Sequence, residues 1–190
     1  RRIVTQEKEI AALSPNNLAT VDEPQWRKWK SSGFGDEQIA YLILKRTKQP
    51  APSAVRELGL KIRSHRLKAG VKPVVKKIDT TAAEYPSPSN YFYMSYGGLF
   101  DDTIVIDRKK KTAIVLGGGA YRIGTSVEFD WCAVSSSQQL QSAGWRSIII
   151  NCNPETVSTD YNCSDHLYFE EMTLERILDI QDIEKATGVI

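Results

Sequence analysis

Residues 112–150 restrict the fold more than any other stretch. "TAIVL" is an unbroken apolar run that meets three glycines, Gly117, Gly118 and Gly119. A helical segment, "TSVEFDWCAVSSSQQLQSAG", follows, and "WRSIIIN" is a second apolar run. Strand, crossover helix and strand in this order form a βαβ unit. Strands that are apolar at nearly every position, not at alternate ones, imply a parallel sheet covered on both faces. "DHLYFE" predicts a third strand. "MTLERILDIQDIEKATG" predicts a helix with Leu174, Ile177, Leu178 and Ile183 on its apolar side, and "GVI" begins a fourth strand on which the sequence stops.

The preceding residues read differently. "DEPQWRKWKSSGF" predicts a helix that places Trp26 and Trp29 on one face and ends at Gly33. "FGDEQIAYLILKRT" predicts its hairpin partner, with Asp36 as candidate N-cap, and a further helix follows Pro52 with Ser53 as candidate cap. From "VKPVV" to "MSYGG" prolines and aromatics replace the helical period, so extended chain is expected there, and the charged stretch 97–111 reads as a linker. Charge divides in the same way: residues 1–96 carry 17 Lys/Arg against 9 Asp/Glu, and residues 97–190 carry 8 against 14. The basic residues are scattered without an aromatic platform, so no nucleic-acid partner is expected.

No apolar run approaches the roughly 20 residues that span a bilayer, so no membrane segment is expected. Cys132, Cys152 and Cys163 lie far apart without a C-x-x-C pair, and His65 and His166 complete no ligand set, so no metal site is expected. The glycine turn invites a dinucleotide, but Gly117, Gly119 and Gly124 are spaced G-x-G-x-x-x-x-G, with Tyr121 and Arg122 where close helix approach is wanted. The second strand ends in Asn151 where an acid should hold a ribose. No G-K-[ST] follows, which removes the P-loop. What stands out is the edge itself. Glu128 and Glu155 lie just beyond the carboxyl ends of adjacent strands, beside a row of small hydroxyls, and converging carboxylates need pairing, hydration or a polar path. Asp130, in the helix's first turn, is open to the plain account that acids favour a helix N-terminus.

"RIGTSVEFDW" (122–131) together with "NCNPETVSTDY" (151–161) resembles the large chain of carbamoyl phosphate synthetase. "VLGGGAYRIG", "DHLYFE" and "KKIDTTAAEY" (76–85) extend the match over roughly residues 20–190. The resemblance implies a helical oligomerization domain followed by a Rossmann-like pre-ATP-grasp domain of the second synthetase half, an α plus α/β arrangement. The expected bounds are 1–96, a linker over 97–111, and 112–190, incomplete at the C-terminus. It implies that the parent enzyme uses ATP with Mg or Mn, none of it bound by this segment alone, and that no catalytic residue lies in the segment. Implied partners are a glutaminase subunit or domain, the ATP-grasp domain of the same parent chain, and further copies through the helical domain. The implied compartment is the mitochondrial matrix or cytoplasm. By motif match, Glu128 and Glu155 become acids lining a carbamate tunnel, with Gly124, Thr125 and Ser126 as the turn beside them. Gly117, Gly118, Gly119, Arg122, Asn153, Asp79, Thr80 and Glu84 are carried over as structural motif positions. Thr125-Ser126 replaces the family's frequent Gln-Gly and is closer to eukaryotic members, while "LGGGAYRIG" and "SSSQQL" favour the arginine type over the multifunctional pyrimidine type. The rival readings are a non-catalytic scaffold and a nicotinamide oxidoreductase with a degenerate glycine loop.

Overall fold

The structure is a computed structural model that describes residues 1–45, 49–102, 109–120 and 128–190, with only the backbone of 128 and 129. It divides into two compact units, Arg1–Pro73 and Val74–Ile190.

The first unit is helical: α1 (Arg2–Ala11), a 3-10 turn (Pro15–Thr20), α2 (Glu23–Ser31), α3 (Asp36–Leu44) and α4 (Pro52–Lys68). Trp26 and Trp29 are buried together, edge to face with ring centroids 5.5 Å apart, as their spacing predicts. Gly33, at φ +94°, follows the end of α2. Two expected caps move. Asp22 caps α2, but the cap position of α3 is Gly35 and that of α4 is Ala51, ahead of Pro52. Asp36 is instead drawn into the interior, where its carboxylate takes Lys30 Nζ at 2.9 Å and Arg66 Nε at 2.9 Å. A buried carboxylate between two cations is satisfied there better than by a cap. The sequence pairs α3 with α2, yet α3 packs mainly against α4. Gly59 permits the approach, because a Cβ there would stand 3.0 Å from Glu37 Cγ.

The second unit is a six-stranded sheet of order β1-β2-β5-β4-β3-β6. Its strands are β1 (Val74–Lys77), β2 (Tyr91–Ser95), β3 (Thr112–Leu116), β4 (Arg146–Ile150), β5 (His166–Tyr168) and β6 (Gly188–Val189). The helices α5 (Glu128–Ser142) and α6 (Leu174–Glu184) connect them. All pairings are parallel except β1 with β2. β4 is buried at all five positions because it is covered twice. Ile148 and Ile150 join Ile114, Tyr168 and Ile180 on one face, and Ile149 joins Val115, Leu167, Ala133 and Val134 on the other. Each such side chain contributes about 1.5–3 kcal/mol on burial.

The expected boundary at 96/97 differs from the observed one at 73/74, since the chain from 74 to 95 supplies two strands of the sheet. The first part of the expected linker is also folded. β1 is an edge strand, and the carboxylates that follow β2 take its open amides: Asp101 from Val75 N–H at 2.8 Å, and Asp102 from Lys77 N–H at 2.9 Å. That bond, with the one from Lys76 Nζ, holds the Asp102 carboxyl below its ordinary value. Capping an edge in this way blocks unwanted strand addition. Residues 103–108 of the linker lie outside the described residues.

The amino edge of the sheet carries a buried charged cluster. Arg146, at the start of β4, binds Glu184, at the end of α6. His166 Nδ1 stands 2.8 Å from Glu184 Oε1, and the Tyr168 hydroxyl donates to the same oxygen at 2.6 Å. Burial pushes the Glu184 carboxyl up, but His166, Tyr168 and Arg146 together hold it below its ordinary value. Such a depressed carboxylate stabilises the fold above the ordinary carboxylate range, and this contribution is lost as pH falls through the folded value. Glu184→Gln is expected to strand Arg146, costing about 3–5 kcal/mol at neutral pH. It should also remove part of the acid-side loss of stability below pH 4.5. Urea unfolding against pH, followed by hydrogen exchange of the β4 amides, measures both.

Candidate functional site at the carboxyl edge of the sheet

At the opposite edge, β3, β4 and β5 all end side by side. Chain order reverses between β3 and β6, the place where open α/β sheets build ligand sites. Three loops meet here. Gly117 N–H donates to Ile150 O at 2.9 Å, and a Cβ on Gly117 would come within 2.4 Å of Asn151 Nδ2. Gly119, at φ +73°, faces Met172 from the loop after β5; a Cβ there would stand 2.7 Å from Met172 Cε and 4.0 Å from Cys152 Sγ. Gly118 has open space around it. Two of the three glycines are therefore needed for close approach.

The polar stretch after β4 is wrapped around one carboxylate. Asp130 is 1% exposed. It accepts hydrogen bonds from the Thr156 hydroxyl, from Ser158 N–H at 2.7 Å and from Asn151 Nδ2 at 3.4 Å. Asn151, fully buried, also donates to Ser158 Oγ at 2.9 Å, and its Oδ1 accepts from Asn153 N–H at 3.1 Å. Asn153 Oδ1 in turn takes Glu155 N–H at 3.0 Å. Thr159 closes the turn onto Thr156 O at 2.6 Å. The small hydroxyls thus satisfy a buried charge, and the turn they form carries Glu155 at its exposed crest.

The structure brings some of the predicted residues together. Glu128 opens α5, two positions before Asp130, and Glu155 adjoins Thr156, which Asp130 holds; their backbones share this edge. Gly124, Thr125, Ser126 and Arg122 lie outside the described residues, as do the cap of α5 and the side chain of Glu128. Asp79, Thr80 and Glu84 stand elsewhere, in the β1–β2 connection at the amino end of β2. There the Asp79 carboxylate, held below its ordinary value by the Thr81 amide and hydroxyl and the Ala83 amide, shapes a turn in which Ala82 and Ala83 take φ of 51° and 60°. Thr80 bonds Ser87 Oγ at 3.1 Å, and Glu84 N–H donates to Thr81 O at 3.0 Å.

Asp130 is the residue whose role the sequence understates. Its partners lie 26 and 28 residues downstream, and the alternate hydroxyls Thr156 and Ser158 are the signal that points to it. Cys163 is buried, and burial pushes its thiol up, which suits a packing role; Cys132 and Cys152 are exposed. Among the described residues no three His, Cys, Asp or Glu side chains stand together as a metal site, and no helix is long and apolar enough to cross a membrane.

Residues 109–190, which contain this whole edge, match the profile of the carbamoyl phosphate synthase preATP-grasp domain. Over its whole length the chain is similar to carbamoyl phosphate synthases. It is 46% identical to the multifunctional protein pyr1-3 of Dictyostelium discoideum over 94% of the chain and 8% of that protein. To the mitochondrial arginine-specific carbamoyl phosphate synthase large chain of Neurospora crassa it is 42% identical over 100% of the chain and 15% of that protein. To the mitochondrial carbamoyl-phosphate synthase [ammonia] of Mus musculus it is 46% identical over 100% of the chain and 12% of that protein. The chain therefore spans only 8% to 15% of the length of these relatives. The carbamoyl phosphate synthase preATP-grasp match begins after β2, whereas the compact unit takes in β1 and β2 as well.

Gly117→Ala is expected to cost about 1–3 kcal/mol by overpacking against Asn151, whereas Gly118→Ala should stay within about 0.5 kcal/mol. Asp130→Ala should cost about 3 kcal/mol by leaving Thr156, Ser158 and Asn151 without their acceptor, and should speed exchange of the Ser158 amide. Urea midpoints and amide exchange read these effects.

Proposed function

We propose that this chain is part of the synthetase chain of a glutamine-dependent carbamoyl phosphate synthase. That enzyme makes carbamoyl phosphate from bicarbonate, glutamine-derived ammonia and two ATP, for arginine or pyrimidine synthesis. In this reading residues 74–190 are the pre-ATP-grasp unit of the carbamate-phosphorylating half, and the helical residues 1–73 belong to the oligomerization domain. The observation that carries it is a polar turn, built on a buried carboxylate at the sheet's carboxyl edge, inside a segment matching the preATP-grasp domain.

Carbamate decomposes in water, so its transfer between two active sites requires a path closed to bulk solvent. Glu155, on a turn fixed by Asp130, and Glu128, at the start of α5, supply acids to the wall of that path and hold the waters or polar groups along it. Neither acts as a nucleophile. Gly124, Thr125 and Ser126 are assigned to the same wall by motif match alone. ATP with Mg supplies the phosphoryl group in the parent enzyme. The described residues do not fit that group, having neither a cluster of acids for the metal nor a G-K-[ST] cradle for the phosphates. Nucleotide contacts are assigned to the ATP-grasp domain of the same parent chain, and ammonia delivery to a glutaminase subunit or domain. The mitochondrial matrix or cytoplasm is the compartment this assignment implies.

The test compares the 190-residue chain with one extended by about 350 further residues, roughly two to three domains' worth. Both are assayed for ATP formation from ADP and carbamoyl phosphate, the reverse of the second phosphorylation. Activity in the extended chain alone is the expected result. Silence in both folded proteins would contradict the assignment.

A further inference from the structure

A second buried carboxylate, Glu170, stands at this edge. The parallel ladder between β2 and β5 ends at Phe92 and Tyr168, with Phe169 N–H donating to Phe92 O at 2.8 Å. Beyond it the two chains separate, and the next inward amide of β2, Met94 N–H, has no strand partner at that level. Glu170, 9% exposed, fills the gap: its Oε1 accepts from Met94 N–H, and its Oε2 faces Arg176 Nε at 3.3 Å in the first turn of α6. Burial pushes the Glu170 carboxyl up, opposed by Arg176 and by the Met94 amide. Arg176 also lies over the Tyr96 ring at 5.5 Å, and the Tyr96 hydroxyl donates to Glu175 at 3.0 Å. One carboxylate thus joins the ends of β2 and β5 to the start of α6.

Two residues after Glu170, Met172 leans on the core of the sheet and covers the α-carbon of Gly119. Gly119 has the left-handed φ of +73° at which the chain leaves β3 on its way to α5. The same turn meets the root of the polar turn, since Gly117 lies against Asn151 and a Cβ on Gly119 would stand 4.0 Å from Cys152 Sγ, so a displaced Met172 frees a contact on which the Glu155 turn rests.

We propose that Glu170 is a positioning residue: by clamping the segment 169–173 it seats Met172 on Gly119 and so holds the glycine turn against Asn151 and Cys152, at the root of the turn that carries Glu155. This rests on the passage reading given above. It assigns Glu170 and Met172 to the coupling of the two phosphorylations, although neither is part of the polar turn.

The test uses the full-length synthetase carrying this chain, with Glu170→Gln, Met172→Ala, their combination, and Glu155→Ala as reference. The readouts are ATP cleaved per carbamoyl phosphate formed and thermal stability. Glu170→Gln and Met172→Ala should each raise the ratio by about twofold or more, and the double variant should do no worse than the larger single one, as expected of residues acting through one contact. Met172→Leu, which keeps the core contact but moves the terminal group off Gly119, carries the test if Glu170→Gln does not fold. A Glu170→Gln enzyme that is less stable but has an unchanged ratio, or a double variant whose effects multiply, would overturn the positioning role. If Glu155→Ala uncouples and Glu170→Gln does not, only this inference fails; if Glu155→Ala leaves the ratio unchanged, the passage reading itself fails.

Discussion

The buried carboxylate of Asp130 is the contact on which the carboxyl edge depends. A charge that is 1% exposed is costly unless its oxygens are filled, and here a hydroxyl, a backbone amide and a side-chain amide fill them. Those donors come from two loop positions and from the residue that follows β4, so one side chain in the first turn of α5 decides the shape of the chain from Asn151 to Thr159. Asn151 is committed in the same way, because its amide is shared among Asp130, Ser158 and the Asn153 backbone. The place where a dinucleotide-binding sheet keeps an acid for a ribose is therefore spent on holding the turn.

The two edges of the sheet use charge differently. At the amino edge Arg146, His166, Tyr168 and Glu184 form a closed cluster with the cation and the carboxylate in direct contact. At the carboxyl edge the buried acids Asp130 and Glu170 take backbone amides as well as side chains. A closed ion pair locks strands and helices to one another. An acid bonded to loop amides holds irregular backbone in a defined course, which a site requires.

How much of this was legible depended on how far apart the partners lie. The βαβ unit was plain, because the apolar runs at 112–116 and 146–150 carry the pattern of strands covered on both faces. The Trp26–Trp29 pair followed from helical spacing alone. β1 and β2 were missed because "VVKK" and "YFYMS" are short, lie among prolines, and owe their pairing to β5 and to Asp101 and Asp102. Asp36 was read as a cap because the cations that bury it come from α2 and from 30 residues downstream. Asp130 was open to a local account for the same reason. Acids look local in a sequence, and their burial is decided by chain that arrives later.

The measurement that bears most directly on the account is the number of ATP molecules cleaved per carbamoyl phosphate in the full-length synthetase carrying Asp130→Asn. This substitution keeps the size of the side chain and removes the charge that gathers Thr156, Ser158 and Asn151. If the turn is a wall of the carbamate path, the ratio rises while amide exchange in β3 and β4 stays at its native level. An unchanged ratio, with the turn visibly loosened at the Ser158 amide, would contradict the account.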